Sequence, residues 1–154
     1  VSLTKKAGMK RVLLKKMGDG HCFVCGTKSA VGLKLDFSLD GNNQSATCEA
    51  VLSDDYCGWA GFVHGGIIAS MLDDAMVYAC KSIGLDCMTA ELTIRYKKPV
   101  PVNKQIKICA HVQNRRTRAN CAVIYTEAVM EINGTIVNTA KAKMFINQEG
   151  LGLA

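Results

Sequence analysis

Residues 67–82 form the one long stretch in which apolar side chains dominate without a break, from Ile67-Ile68-Ala69 through Met71-Leu72 and Ala75-Met76 to Ser82. The stretch contains no proline and no internal glycine, and Gly84 lies just past its end, so the pattern predicts a helix. Apolar residues occupy most of its circumference, which a surface helix would not tolerate. The polar exceptions Ser70, Asp73 and Asp74 fall three and four positions apart and share one face. A helix of this kind must be wrapped by other elements.

Strand-like alternation supplies candidates for the wrapping. Residues 33–39 alternate with a period of two, Asp40-Gly41-Asn42-Asn43 reads as a turn, and residues 45–52 return as a partner strand. Beyond the helix, residues 92–96 alternate up to Pro99-Val100-Pro101. Residues 106–112, 119–132 and 135–146 are three further candidates, the last two joined by Asn133-Gly134, a strong hairpin signal. Two strands, one buried helix and three or four more strands predict an α+β domain with a curled antiparallel sheet. The expected organisation is a basic helical arm over residues 1–20, with helix at 3–17, a domain over 21–147 that opens with a turn-rich piece to Gly32, and a loose tail over 148–154.

Composition narrows the class. A chain of 154 residues with 49% apolar and 21% charged residues is expected to form one globular domain. The net charge of +6 resides in Lys5, Lys6, Lys10, Arg11, Lys15 and Lys16, and the remainder balances. Such an arm could meet phosphates or an acidic surface, but it reads first as a solvated helix. Few aromatics accompany the basic residues, which argues against a stacking platform for nucleic acid. No run of about eighteen apolar residues occurs, so no membrane span is expected. The first residues lack the order of a signal peptide, although a start at Val1 leaves room for an upstream segment. The eight cysteines are expected to be reduced in a cytoplasmic protein, with Cys80, Cys109 and Cys121 as small buried residues.

The start of the helix carries the chemistry. Gly58-Trp59-Ala60-Gly61-Phe62-Val63-His64-Gly65-Gly66 leads directly into it. A helix N-terminus offers unsatisfied N–H groups and partial positive charge, and glycines admit a ligand close to the backbone. Together they suit a carbonyl oxygen gaining negative charge during attack. The same letters also fit a tight turn with a satisfied histidine, and the acid pair fits a subunit contact. No Gly-Lys-Ser/Thr phosphate loop and no His-Glu-x-x-His zinc motif is present.

His64-Gly65-Gly66 with Asp73 nine positions after the histidine resembles the hot-dog fold acyl-CoA thioesterases of the phenylacetate-pathway (PaaI-like) type. The resemblance continues through Thr89-Ala90-Glu91-Leu92, Arg95-Tyr96-Lys97-Lys98-Pro99-Val100-Pro101, Cys22-Phe23-Val24-Cys25-Gly26 and Gly32-Leu33, covering roughly residues 21–146. It implies a long central helix wrapped by a five- or six-stranded antiparallel sheet, and homodimers with shared active sites, often paired into tetramers. It further implies that the Gly66 N–H polarises the thioester carbonyl while Gly65 frames the turn. Asp73 is then the general base for water, Thr89 of the opposite subunit orients that water or the carboxylate, and His64 positions the thioester or fixes the loop. Asp74 is the rival base, disfavoured by the spacing. Several relatives carry an asparagine or glutamine where this chain has Gly58. Trp59 and Phe62 are expected to shape the acyl pocket, and Arg95, Lys97, Lys98 and Arg116 to hold the phosphates of coenzyme A or to be solvated edge residues.

His21-Cys22-x-x-Cys25 has metal-like spacing, but a structural zinc site commonly needs four ligands and the nearest addition in sequence is Cys57. Packing over the open end of the sheet is the expected role, so neither metal nor cofactor is implied, coenzyme A being part of the substrate. The resulting expectation is a hydrolase acting on acyl-CoA. A non-catalytic acyl-CoA-binding or regulatory protein is the alternative, with a dehydratase on the same fold ranked below.

Overall fold

The computed structural model describes residues 20–118 and 121–147. The basic arm, the C-terminal tail and the burial expected of Cys121 lie outside the described residues. Chain order is β1 (Ser38–Asp40), β2 (Ser45–Val51), a short 3-10 turn (Asp54–Tyr56), α1 (Gly65–Lys81), β3 (Met88–Tyr96), β4 (Gln105–Arg118), β5 (Cys121–Ile132) and β6 (Thr135–Asn147). The strands form one antiparallel sheet in the order β1-β2-β4-β5-β6-β3. Helix α1 packs on one face of the sheet, against β2, β4 and β5 in particular.

The expected wrapping follows from the helix's own composition. Ile68, Met71, Leu72, Ala75, Met76, Ala79 and Cys80 are all buried, and the sheet supplies Ile106, Ile108, Ala110, Ile124, Ala128, Met130 and Met144 to meet them. At about 1.5–3 kcal/mol per large apolar side chain removed from water, this contact accounts for most of the domain's cohesion. Alternation along β5 sends Ala122, Ile124, Thr126, Ala128 and Met130 inward, leaving Val123, Tyr125 and Glu127 on the outer face. The hairpin between β5 and β6 closes through Asn133 and Gly134 at φ of 49° and 76°, the left-handed pair of a type I′ turn. The turn after β1 is held by Asp40 Oδ1, which accepts from the Asn42 and Asn43 N–H groups at 3.0 and 3.1 Å.

Three expectations are corrected. Residues 33–37 are not strand: Lys34 takes a φ of 52°, and the Leu33 and Leu35 N–H groups donate to Phe23 O and Val24 O instead of to β2. That register buries Leu35 and ties the turn-rich piece to the core. Cys109 is only half-buried, because its neighbours Ile108 and Ala110 take the inward positions of β4. Strand β3 begins at Met88 rather than Leu92, bringing Thr89 into the sheet.

Candidate active site

His64 caps helix α1. Its backbone is extended (φ −61°, ψ 136°), its carbonyl accepts from the Ile67 and Ile68 N–H groups, and its Nδ1 accepts from the Gly66 N–H at 2.9 Å. An accepting Nδ1 requires the neutral ring with its proton on Nε2. A Cβ at Gly58 would stand 3.1 Å from His64 Cα and 3.2 Å from Cδ2, so the glycine lets the cap residue pack closely. The Gly66 N–H expected to face a substrate is thus engaged by the cap. Among the described residues, the Gly65 N–H has no acceptor. The Gly65 carbonyl, by contrast, accepts from Tyr96 Oη at 2.9 Å, which joins the end of β3 to the helix start. Tyr96 carries no site signal in the sequence beyond its place in the Arg95–Pro101 segment.

A cavity of about 420 Å3 opens at this end, lined by Gly58, Trp59, Phe62, Val63, His64, Gly65 and Pro99. It brings together five of the expected site residues. Trp59 is 85% exposed, so the chain by itself does not bury the ring. Lys97 and Lys98 are exposed immediately before Pro99, and both of their N–H groups donate to Val137 O. Arg95 and Arg116 are exposed elsewhere: Arg95 follows Glu91 and Thr93 on the outer face of β3, and Arg116 stacks over Tyr125, 5.4 Å from the ring centroid. One chain does not bring Arg116 to the helix start.

Two turns into the helix, Thr89 Oγ1 donates to Asp73 Oδ1 at 2.6 Å within the same chain. The resemblance assigned this threonine to an opposite subunit. A hydroxyl has one hydrogen, so the short carboxylate contact takes it in preference to Met144 Sδ at 3.3 Å. A β-bulge makes the contact possible. The pairing of β3 with β6 shifts between Thr89 and Glu91, so residues two apart face opposite ways, Thr89 inward to Asp73 and Glu91 outward to Lys143. Among the described residues Asp73 Oδ2 has no hydrogen-bond partner.

Asp74 occupies a different environment. Burial pushes its pKa up to about 6, with the Asp73 charge adding to the rise and the Cys25 thiol and Lys81 opposing it. Its Oδ2 is buried without a partner. It turns away from Asp73 toward the piece that carries Cys22 and Cys25.

The chain matches the Thioesterase superfamily profile over residues 60–126, which includes the helix start, Asp73 and Thr89. It is 37% identical over 84 residues to the acyl-coenzyme A thioesterase THEM4 of Mus musculus, an alignment covering 46% of this chain and 35% of that protein. The chain therefore spans about a third of the length of that curated relative. Among solved structures, a thioesterase superfamily protein superposes with a TM-score of 0.73 at 23% identity, covering 83% of this chain and 61% of the other. The PaaI protein of the E. coli phenylacetic acid degradation operon superposes with a TM-score of 0.61 at 23% identity, over 74% of this chain and 80% of its own. A hypothetical thioesterase protein of Streptococcus pneumoniae TIGR4, solved with one aspartate replaced by alanine, gives 0.63 at 18% identity over 73% and 89%. The same protein solved with one threonine replaced by alanine gives 0.64 at 17% over 73% and 88%. A single long helix packed on a six-stranded antiparallel sheet gives this chain the hot-dog fold of these solved structures, and its match to the Thioesterase superfamily profile lies over the helix and its start.

Proposed function

We propose that the chain hydrolyses acyl-CoA thioesters to a free acid and coenzyme A, with Asp73 as general base. The observation that carries this reading is the Asp73 carboxylate, with one oxygen held by Thr89 at 2.6 Å and the other without a hydrogen-bond partner among the described residues. A carboxylate fixed by one hydrogen bond presents its second oxygen in a defined direction, as general-base catalysis requires. The proton of the attacking water passes to Asp73, the water oxygen bonds to the carbonyl carbon, and the resulting oxyanion is held by a helix-start N–H. Collapse expels the thiolate of coenzyme A.

The donor in this reading is Gly65 rather than Gly66, whose N–H is already used by His64. Distance then shapes the reading. Eight residues separate Gly65 from Asp73, about 12 Å along a helix rising about 1.5 Å per residue. The attacking water and the carbonyl must meet within about 3–3.5 Å. One helix cannot serve both ends of the reaction, so the reading requires a homodimer in which the helix start of one subunit faces Asp73 and Thr89 of the other. Exposed Trp59 and Phe62 would border the acyl group at that junction, and Lys97 and Lys98 the phosphates; Arg95 and Arg116 would take part only across the dimer or a tetramer. The name of the mouse relative supports the substrate class. The S. pneumoniae substitutions support the base, since they fall on an aspartate and a threonine separated by the same sixteen positions as Asp73 and Thr89. A reducing, cytoplasmic setting belongs to the same reading, as the described cysteines are all free thiols. No helix among the described residues is long and apolar enough to cross a membrane.

The test is thiol release from short, medium, long and aryl acyl-CoAs by the wild type, Asp73→Asn and Asp74→Asn. Turnover that falls about 10²–10⁴-fold in Asp73→Asn alone is the expected result. Binding of coenzyme A derivatives without turnover across the panel would replace the hydrolase with an acyl-CoA-binding protein.

A further inference from the structure

Cys22-Phe23-Val24-Cys25-Gly26 plays no part in the hydrolysis just described, yet it forms a tightly hydrogen-bonded turn. Gly26 N–H donates to Cys22 O at 2.8 Å, Lys28 N–H to Gly20 O at 3.0 Å, and Cys25 N–H points at Cys22 Sγ at 3.5 Å. A Cβ on Gly26 would fall 2.4 Å from Gly20 O and 2.5 Å from Cys22 O, so only glycine closes this turn. The turn directs both sulfurs toward helix α1. There the sulfurs of Cys22 and Cys25 and a carboxylate oxygen of Asp74 lie within 4.8 Å of one another. Cys25 is 5% exposed, and Asp74 Oδ2 is buried with no hydrogen-bond partner.

We propose that Cys22, Cys25 and Asp74 form a binding site for one zinc ion, which clips the segment before β1 to the middle of helix α1. Two thiolates and a carboxylate are a ligand set zinc accepts, with Zn–S about 2.3 Å and Zn–O about 2.0 Å. Tetrahedral placement at those lengths puts ligand atoms about 3.5–3.8 Å apart, so closing the site takes shifts of about 1 Å. The backbone is already pinned by the turn and by Leu33 and Leu35, so little order remains to be imposed. A Cys22–Cys25 disulfide would leave the buried Asp74 oxygen unanswered; a cation satisfies it. Among the described residues no fourth His, Cys, Asp or Glu joins the group, so water or another small ligand completes the shell. Cys57, the addition considered from sequence, has its backbone in a bridge with Val63.

The experiment uses the full chain, reduced and stripped with chelator, then titrated with zinc alone and desalted. Zinc content is read by mass spectrometry and unfolding by thermal melts, neither of which depends on thioester turnover. One zinc retained per chain and a raised Tm are expected. Cys22→Ser, at the less buried thiol, should abolish both, and Asp74→Asn should weaken zinc binding at least tenfold while circular dichroism remains native. The proposal is overturned if the folded, reduced wild type retains well under one zinc per chain, whether or not Cys22 and Cys25 are found paired as a disulfide on oxidation. Zinc uptake unchanged in Cys22→Ser or Asp74→Asn overturns it equally.

Discussion

Replacing Gly65 with proline removes one N–H from the helix start and disturbs little else. Gly65 is the first residue of α1, the position where proline is favoured, since its missing N–H would be unpaired in any case. His64 has a ψ of 136°, inside the extended range that a residue before proline prefers. A Cβ at Gly65 meets the Tyr96 ring at 3.6 Å, ordinary contact, and among the described residues the lost N–H had no acceptor. Stability in urea is therefore expected to change by no more than about 1 kcal/mol. Turnover is expected to fall by about 10²–10³, the usual cost of one oxyanion donor, or about 3–4 kcal/mol. The decisive assay isolates a mixed dimer, one subunit Gly65→Pro and the other Asp73→Asn, by two affinity tags. Sites shared between subunits leave one site carrying both lesions and one carrying neither, so the mixed dimer should show roughly half the wild-type turnover although both parent dimers are nearly inactive. A folded Gly65→Pro protein with undiminished turnover would refute the Gly65 donor. A mixed dimer as inactive as its parents would refute the division of the site between subunits.

Thr89→Val removes the hydroxyl that holds Asp73 Oδ1; kcat is expected to drop by about 10-fold or more with KM little changed, and Thr89→Ser to restore most of it, in the same thiol-release assay. His64→Ala deletes the cap on the Gly66 N–H and should cost about 1 kcal/mol in urea unfolding, whereas His64→Asn, a good N-cap, should recover it. In chelated protein, Asp74 should make stability fall as pH rises from about 4 to 6. With its folded pKa raised to about 6, the native state holds a proton that the unfolded chain has released, so the effect is nearly complete by about pH 7 and amounts to about 3 kcal/mol. Asp74→Asn should flatten that slope in denaturant melts taken across the range.

Local pattern determined a great deal of this protein. The apolar circumference of residues 67–82 required a wrapped helix, Asn133-Gly134 closed its hairpin, and His64-Gly65-Gly66 put backbone donors at a helix start. These properties depend on side-chain period and on the backbone preferences of single residues, which one segment carries by itself. Tertiary structure decided which groups meet. The inward pattern of Leu92 and Ile94 would have placed Thr89 on the outer face, and only the bulge beside Ala90, set by pairing with β6, turned it to Asp73. The choice of Gly65 over Gly66 as the open donor rested on how His64 folds back onto the helix, with Gly58 packed behind it. Asp73 and Asp74, alike in sequence, acquired different surroundings because one faces β3 and the other the Cys22–Cys25 turn. Contacts such as these join residues distant along the chain, and packing register, which no local period encodes, selects them.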